Sequence, residues 1–162
     1  EIGYKELDGI EIYGARPNIP DMLKLKDERF DLFVDEVIDF VFSQEMKNRA
    51  EQTIEFEGNL TLNVANPQDI VLMKCATDRA KDKDDARKII ETSDINWDIV
   101  IEEAKNQIKL GKEKAYFELG CFLEELKEKL GVPVPQEVLD KLFTLVQEQA
   151  AKKTKGKTVK YT

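Results

Sequence analysis

Histidine is absent from all 162 residues. Its absence removes Ser-His and Cys-His triads, imidazole acid–base catalysis and most catalytic zinc sites from the chemistry open to this chain. Cysteine is scarce: Cys75 and Cys121 are the only two, each inside an apolar helical pattern. They read as small buried side chains in a reducing compartment, not as a disulfide framework or a metal site. There is no signal-peptide pattern and no apolar run long enough to span a bilayer, which predicts a cytoplasmic protein with no membrane partner. Internal repeats and low-complexity linkers are also missing. Positive charge is in deficit, with 25 Lys and Arg against 33 Asp and Glu and a net charge of −8. No continuous basic stripe of the kind a general nucleic-acid coat needs is present.

What is there suffices for one ordinary domain, or a small domain with a helical appendage: 41% of residues are apolar and 36% charged. The most informative stretch runs from Asn66 to Asp85, NPQDIVLMKCATDRAKDKDD. Asn66 can cap a helix through its side-chain oxygen, and Pro67 suits the first helical position because its missing N–H would be unpaired there anyway. Asp69 falls where a carboxylate can reach back to the cap and meets the positive end of the helix dipole. Ile70, Met73 and Thr77 form a stripe with Val71 close by and Lys74 at its edge. Arg79 to Asp85 is too charged to be a buried face. Its bland reading is a solvated turn, and its sharper one is a functional site.

Upstream, residues 1 to 35 predict strands and turns. Glu11 to Gly14 is a strand candidate, and Met22 to Lys26 reads as an ordered loop or brief helical turn. Arg29 to Asp35 favours a pleated strand, with Phe30, Leu32 and Val34 on one face and Asp31, Phe33 and Asp35 on the other. An aspartate there needs a metal ion, a basic side chain or water, because burying it unpaired is costly. Glu36 to Arg49 reads as a helix with Val37, Ile38, Val41, Phe42 and Met46 as its apolar stripe. Thr53–Phe56 and Leu60–Val64 predict a hairpin around Glu57-Gly58-Asn59.

Beyond Asn66 the pattern is helical. One helix starts near Asp82 with Ala86, Ile89 and Ile90 inward. The next is capped by Ser93 or Asp94 and stops at Gly111. A third carries Tyr116, Leu119, Phe122, Leu123, Leu126 and Leu130 to Gly131, and a last one follows Pro135. Lysines 152, 153, 155, 157 and 160, with no acid after Glu148, predict a frayed, solvated tail. Weak contact with nucleic acid or phosphate is its sharper reading. The expected organisation is an α+β core over residues 1–92, a helical region over 93–151 and a basic tail over 152–162.

An Asp on an apolar strand, a helix start Asn-Pro-Gln-Asp, then Lys74, Arg79, Lys81-Asp82 and Asp85 form an ordered set. The set resembles prokaryotic nucleotidyltransferase-like proteins of the DNA polymerase β superfamily. That group takes in small archaeal and bacterial members and the nucleotidyltransferase toxins of AbiE-type abortive-infection systems. The likeness covers roughly residues 1 to 100. It implies a mixed sheet followed by a C-terminal helical region, with Asp31 as a metal-binding carboxylate for Mg²⁺. It also implies Lys74 as a catalytic and phosphate-binding residue, Arg79 and Lys81 as phosphate ligands, and Asp69, Asp82 and Asp85 as the charged signature. The reaction implied is transfer of a nucleotidyl group from an NTP to a hydroxyl on an RNA, protein or small molecule, with ions activating the nucleophile and stabilising pyrophosphate. The family's Gly-Ser turn and Asp-x-Asp strand should precede Asp31, and residues 1 to 30 hold no match. With Glu as first residue, the expectation is either an upstream segment outside this chain or a degenerate member. Such a member would act as a nucleotide-binding or protein-interaction module, as in a toxin–antitoxin pair. A plain helical interaction domain, with Lys74 and Arg79 as ordinary surface residues, is the third reading.

Overall fold

The computed structural model describes residues 3–8, 18–56 and 60–158. The first sheet is an antiparallel meander of Lys5–Leu7 (β1), Asp21–Leu25 (β2) and Glu28–Leu32 (β3), in that spatial order. Residues 21–25 are therefore a strand, not the loop or helical turn expected from Met22 on. The reversal into β3 uses Lys26 in the left-handed region, at φ 53°. A Lys-Asp turn lacks the Gly or Asn that usually signals such a bend. Alternation along β3 is as expected, although the strand ends at Leu32 and not at Asp35. Phe30 and Leu32 are 53% and 50% exposed, while Asp31, opposite the buried Met22, turns inward. The strand candidate at Glu11 to Gly14 lies outside the described residues.

The helix expected over Glu36 to Arg49 does not form. In its place stand two short antiparallel strands, Glu36–Val37 (β4) and Phe40–Val41 (β5), and a single helical stretch, Gln44–Asn48 (α1). Ser43 begins α1 by accepting a bond from the Met46 amide. Gln52–Phe56 (β6) and Leu60–Val64 (β7) pair as the expected hairpin, whose turn at 57–59 lies outside the described residues. Among the described residues all strand pairs are antiparallel and fall into separate small sheets, in place of one mixed sheet.

The helices follow: Pro67–Lys74 (α2), Ala80–Thr92 (α3), Trp97–Lys109 (α4), Ala115–Leu130 (α5) and Gln136–Thr158 (α6). Asn96, not Ser93 or Asp94, caps α4, accepting from the amides of Asp98 and Ile99. Gly131 ends α5 at φ 66°, a left-handed cap that favours glycine. The core joins Val71 and Leu72 of α2 to Ala86, Val100, Ala104, Leu119, Leu123, Leu126 and Leu142, all within 1% of full burial. Burying the valine and leucine side chains contributes roughly 1.5–3 kcal/mol each. A methyl on Gly120 would stand 3.3 Å from the Phe143 ring, so the glycine lets α5 and α6 approach closely. The tail is not frayed from residue 152, because α6 continues to Thr158 and Lys153 pairs with Glu113 at 2.6 Å. No helix among the described residues is long and apolar enough to cross a membrane.

Candidate functional site

A cavity of about 530 Å³ opens between β3, the β4–β5 segment, α2 and the start of α3. It is built from the sequence upward. Alternation along β3 puts Arg29 and Asp31 on the same face. There the guanidinium donates from Nη2 to Asp31 Oδ2 at 2.8 Å, with Nε forming an ion pair to Oδ1 at 2.8 Å. Helix α2 starts where Asn66 accepts from the Gln68 amide at 3.1 Å. Eight residues later it delivers Lys74 to the cavity as its last residue. The chain then turns through Thr77 and Arg79 into α3, whose first turns bear Lys81, Asp82 and Asp85.

These side chains form one network. Lys74 Nζ donates to Asp82 Oδ1 and Asp85 Oδ2, each at 2.8 Å. Asp82 Oδ2 also accepts from Arg79 Nε at 2.7 Å and from the Thr77 hydroxyl. Burial works against the charged forms of both Lys74 and Asp82. For Lys74 the bonds to Asp82 and Asp85 outweigh it, so its pKa is raised and the ammonium persists. For Asp82 the bonds from Arg79, Lys74 and Thr77 outweigh it and bring the carboxyl down to about 2.

The folded form of Asp82 thus binds its proton more weakly than the unfolded chain does, so its contribution is complete above about pH 4. Roughly 2 kcal/mol of stability is lost as pH falls from there toward 2. Asp82→Asn is expected to destabilise the chain at pH 7 and to approach the parent near pH 2. Urea unfolding at the two pH values measures it, and a gap that stays constant with pH would contradict this account.

The cavity wall carries Arg29, Lys74, Arg79 and Lys81 against Asp27, Asp31, Asp82 and Asp85, so its formal charges balance. Its apolar side is Phe33, Val37, Ile38, Ile70 and Met73. The stripe predicted on α2 therefore faces the cavity in part, while Val71 and Leu72 enter the core. Ile38 holds φ 56°, unusual for a β-branched residue and costing on the order of 1–3 kcal/mol. Its burial and a bond from Asn18 Nδ2 to its carbonyl, 3.1 Å, hold it there.

Every expected site residue but one lines this cavity: Asp31, Lys74, Arg79, Lys81, Asp82 and Asp85. Asp69 does not. Five residues along a helix is a turn of about 140°, so Asp69 and Lys74 cannot face one space. Asp69 is buried and bound by Arg49 at 2.7 to 3.2 Å, and the same guanidinium also holds Glu103. Glu103 accepts further bonds from Asn106 and Gln107, both 3.1 Å. The reach back to the helix cap is thus replaced by a cross-link from α2 to α1 and α4. Sequence reading missed Arg49, Glu103 and Gln107, since their partners lie 20 to 66 residues away.

Among the described residues no three carboxylates or thiols stand together to hold a metal ion. Asp31 offers one carboxylate already bonded to Arg29, and Asp82 and Asp85 are occupied by Lys74. These residues alone do not fit a Mg²⁺ cage, although Mg²⁺ on a nucleotide needs only one or two protein carboxylates beside the phosphates. What the wall can do is bind an anion, with guanidinium and ammonium donors converging beside an apolar surface.

A family model described as a nucleotidyltransferase of unknown function (DUF6036) matches residues 7–130. The match runs from the end of β1 to the end of α5 and takes in the whole cavity wall. No curated protein and no solved structure matches the chain.

Proposed function

The chain belongs to this family of nucleotidyltransferases, and we propose that its cavity seats the phosphates of an NTP. Lys74, Arg79 and Lys81 would be the phosphate ligands, Asp31 the carboxylate toward an accompanying Mg²⁺, and the apolar wall of Phe33, Ile70 and Met73 the side for the rest of the nucleotide. The observation that carries this reading is the convergence of Asp31 with Lys74, Arg79 and Lys81, residues up to 50 positions apart, on one cavity. A lysine is suited to phosphate as a point charge and an arginine as a planar fork. The nucleotidyl acceptor would be a hydroxyl on an RNA, a protein or a small molecule. The finer placement, within the DNA polymerase β superfamily and near AbiE-type toxins, belongs to the same proposal and rests on the ordered motif from Asp31 to Asp85.

A second reading, a nucleotide-binding or protein-interaction module without transfer, is favoured by the lack of a three-carboxylate group among the described residues. Thermal unfolding with each of the four NTPs, with and without Mg²⁺, separates the two. Ligand at a hundredfold excess over Kd stabilises by about 2.7 kcal/mol, or roughly 5–10 °C for a chain of this size. Metal-dependent stabilisation that disappears in Asp31→Ala supports transfer. Stabilisation that survives without metal supports the binding module. No response to any NTP would sink both.

A further inference from the structure

The β6–β7 hairpin lies outside the cavity wall. Its register sets Gln52 opposite Val64, Ile54 opposite Leu62 and Phe56 opposite Leu60. Ile54, Leu60, Leu62 and Val64 therefore share one face. They are 45, 55, 45 and 42% exposed. The other face is polar: the Thr53 hydroxyl donates to the Asn63 amide oxygen at 2.9 Å, and Glu55 stands opposite Thr61. A two-stranded hairpin is marginal by itself, and among the described residues neither outer edge pairs with another strand.

The two edges differ in charge. Strand β6 carries Glu55 and is flanked by Glu51 and Glu57, whereas the run from Gly58 to Gln68 has no charged residue at all. Unpaired edges are usually guarded by lysine, proline or short length. Strand β7, Leu-Thr-Leu-Asn-Val, contains neither lysine nor proline.

We infer that β7 is a self-association edge, where a second copy of this chain adds its own β7 antiparallel across a two-fold axis. A two-fold interface has to be self-complementary, and this strand is. Pairing about Leu62 sets Leu62 against its counterpart, Leu60 against Val64, and Thr61 against Asn63. Apolar side chains meet on one face. Hydroxyl meets amide on the other, the same pairing that Thr53 and Asn63 make within the hairpin. No charge faces a like charge, whereas pairing through β6 would gather three glutamates from each copy along one edge. The product is a four-stranded sheet, β6-β7-β7-β6, with a continuous apolar face. Five paired residues cover less than the roughly 1,200–2,000 Å² of a stable interface, so the dimer dissociates on dilution.

Sedimentation equilibrium of the full chain over a concentration series tests this. The expected result is a mass rising from monomer toward dimer. Leu62→Lys, which sets two ammonium groups face to face, should weaken association at least tenfold, and Glu55→Lys on β6 should leave it intact. Leu62 is half exposed, so the lysine variant should retain its circular dichroism. Amide exchange on the unaltered protein gives a check that requires no variant, with β7 amides gaining protection as concentration rises. A monomer at every concentration, a dimer indifferent to Leu62→Lys, or protection gained along β6 instead would each overturn the inference.

Discussion

Arg49→Met is expected to destabilise the chain by about 3–5 kcal/mol at pH 7, the usual cost of removing one member of a buried ion pair. The cation is a quarter exposed, but the side chains of both its partners, Asp69 and Glu103, are only 1% exposed. Asp69 accepts side-chain bonds from Arg49 alone among the described residues, so the variant strands a buried carboxylate. Glu103 keeps Asn106 and Gln107. Burial pushes the Glu103 carboxyl up, and the bonds led by Arg49 bring it below the ordinary value. That contribution is complete above the unfolded carboxyl range and disappears as pH falls through the folded pKa, so the deficit of the variant should be largest at neutral pH and shrink toward pH 4 and below. Urea unfolding of the parent, Arg49→Met, Asp69→Asn and the double variant checks the coupling. The double variant should cost less than the two singles together. A loss below 1 kcal/mol for Arg49→Met would show that solvent, not the guanidinium, satisfies these carboxylates.

The same network explains where the sequence was readable and where it was not. The start of α2 was legible because Asn66 and Pro67 act on their nearest neighbours. Gly131 was legible as a stop for the same reason. The cavity residues could be found because their residue types and order make a motif, although the sequence alone gave no distance between Asp31 and Lys74. Residues 36–49 were misread because Val37, Ile38, Val41, Phe42 and Met46 do fit a helical period, yet the decisive contacts are distant ones. Gln107, 66 residues on, accepts from the Val41 amide at 2.9 Å and donates to its carbonyl at 2.8 Å, satisfying the backbone as a neighbouring strand would. No local pattern encodes that bond. Asp69 was recognised as part of a motif but given the wrong partner, since the helical position specifies its direction only relative to Lys74 and not what waits there. On β3 the period was right and Asp31 found the basic partner it needs, because alternation sets Arg29 on the same face two residues before it.

If the cavity seats a nucleotide as proposed, Lys74→Ala is expected to weaken that binding by roughly 10–150-fold, the equivalent of one charge-assisted hydrogen bond at about 1.5–3 kcal/mol. The lysine donates to Asp82 and Asp85, which leaves one of its three N–H groups without an acceptor among the described residues. An incoming phosphate can take that donor and compete for the bond to Asp85, the more exposed of the two carboxylates. Loss of affinity alone would not separate a phosphate ligand from a scaffold residue, because Lys74 also braces the start of α3. Asp85→Asn makes the distinction. It frees Lys74 from one carboxylate while Asp82 still holds it, so a phosphate-binding lysine should then bind nucleotide more tightly than in the parent, and a bracing lysine should not. Lys141→Ala, at an ion pair with Asp98 outside the cavity wall, should change nothing. Isothermal titration well below the melting temperature, with circular dichroism on each variant, gives the comparison. If Asp85→Asn and Lys74→Ala weaken binding alike, the lysine acts through the fold and the cavity must bind its anion by Arg79 and Lys81 instead.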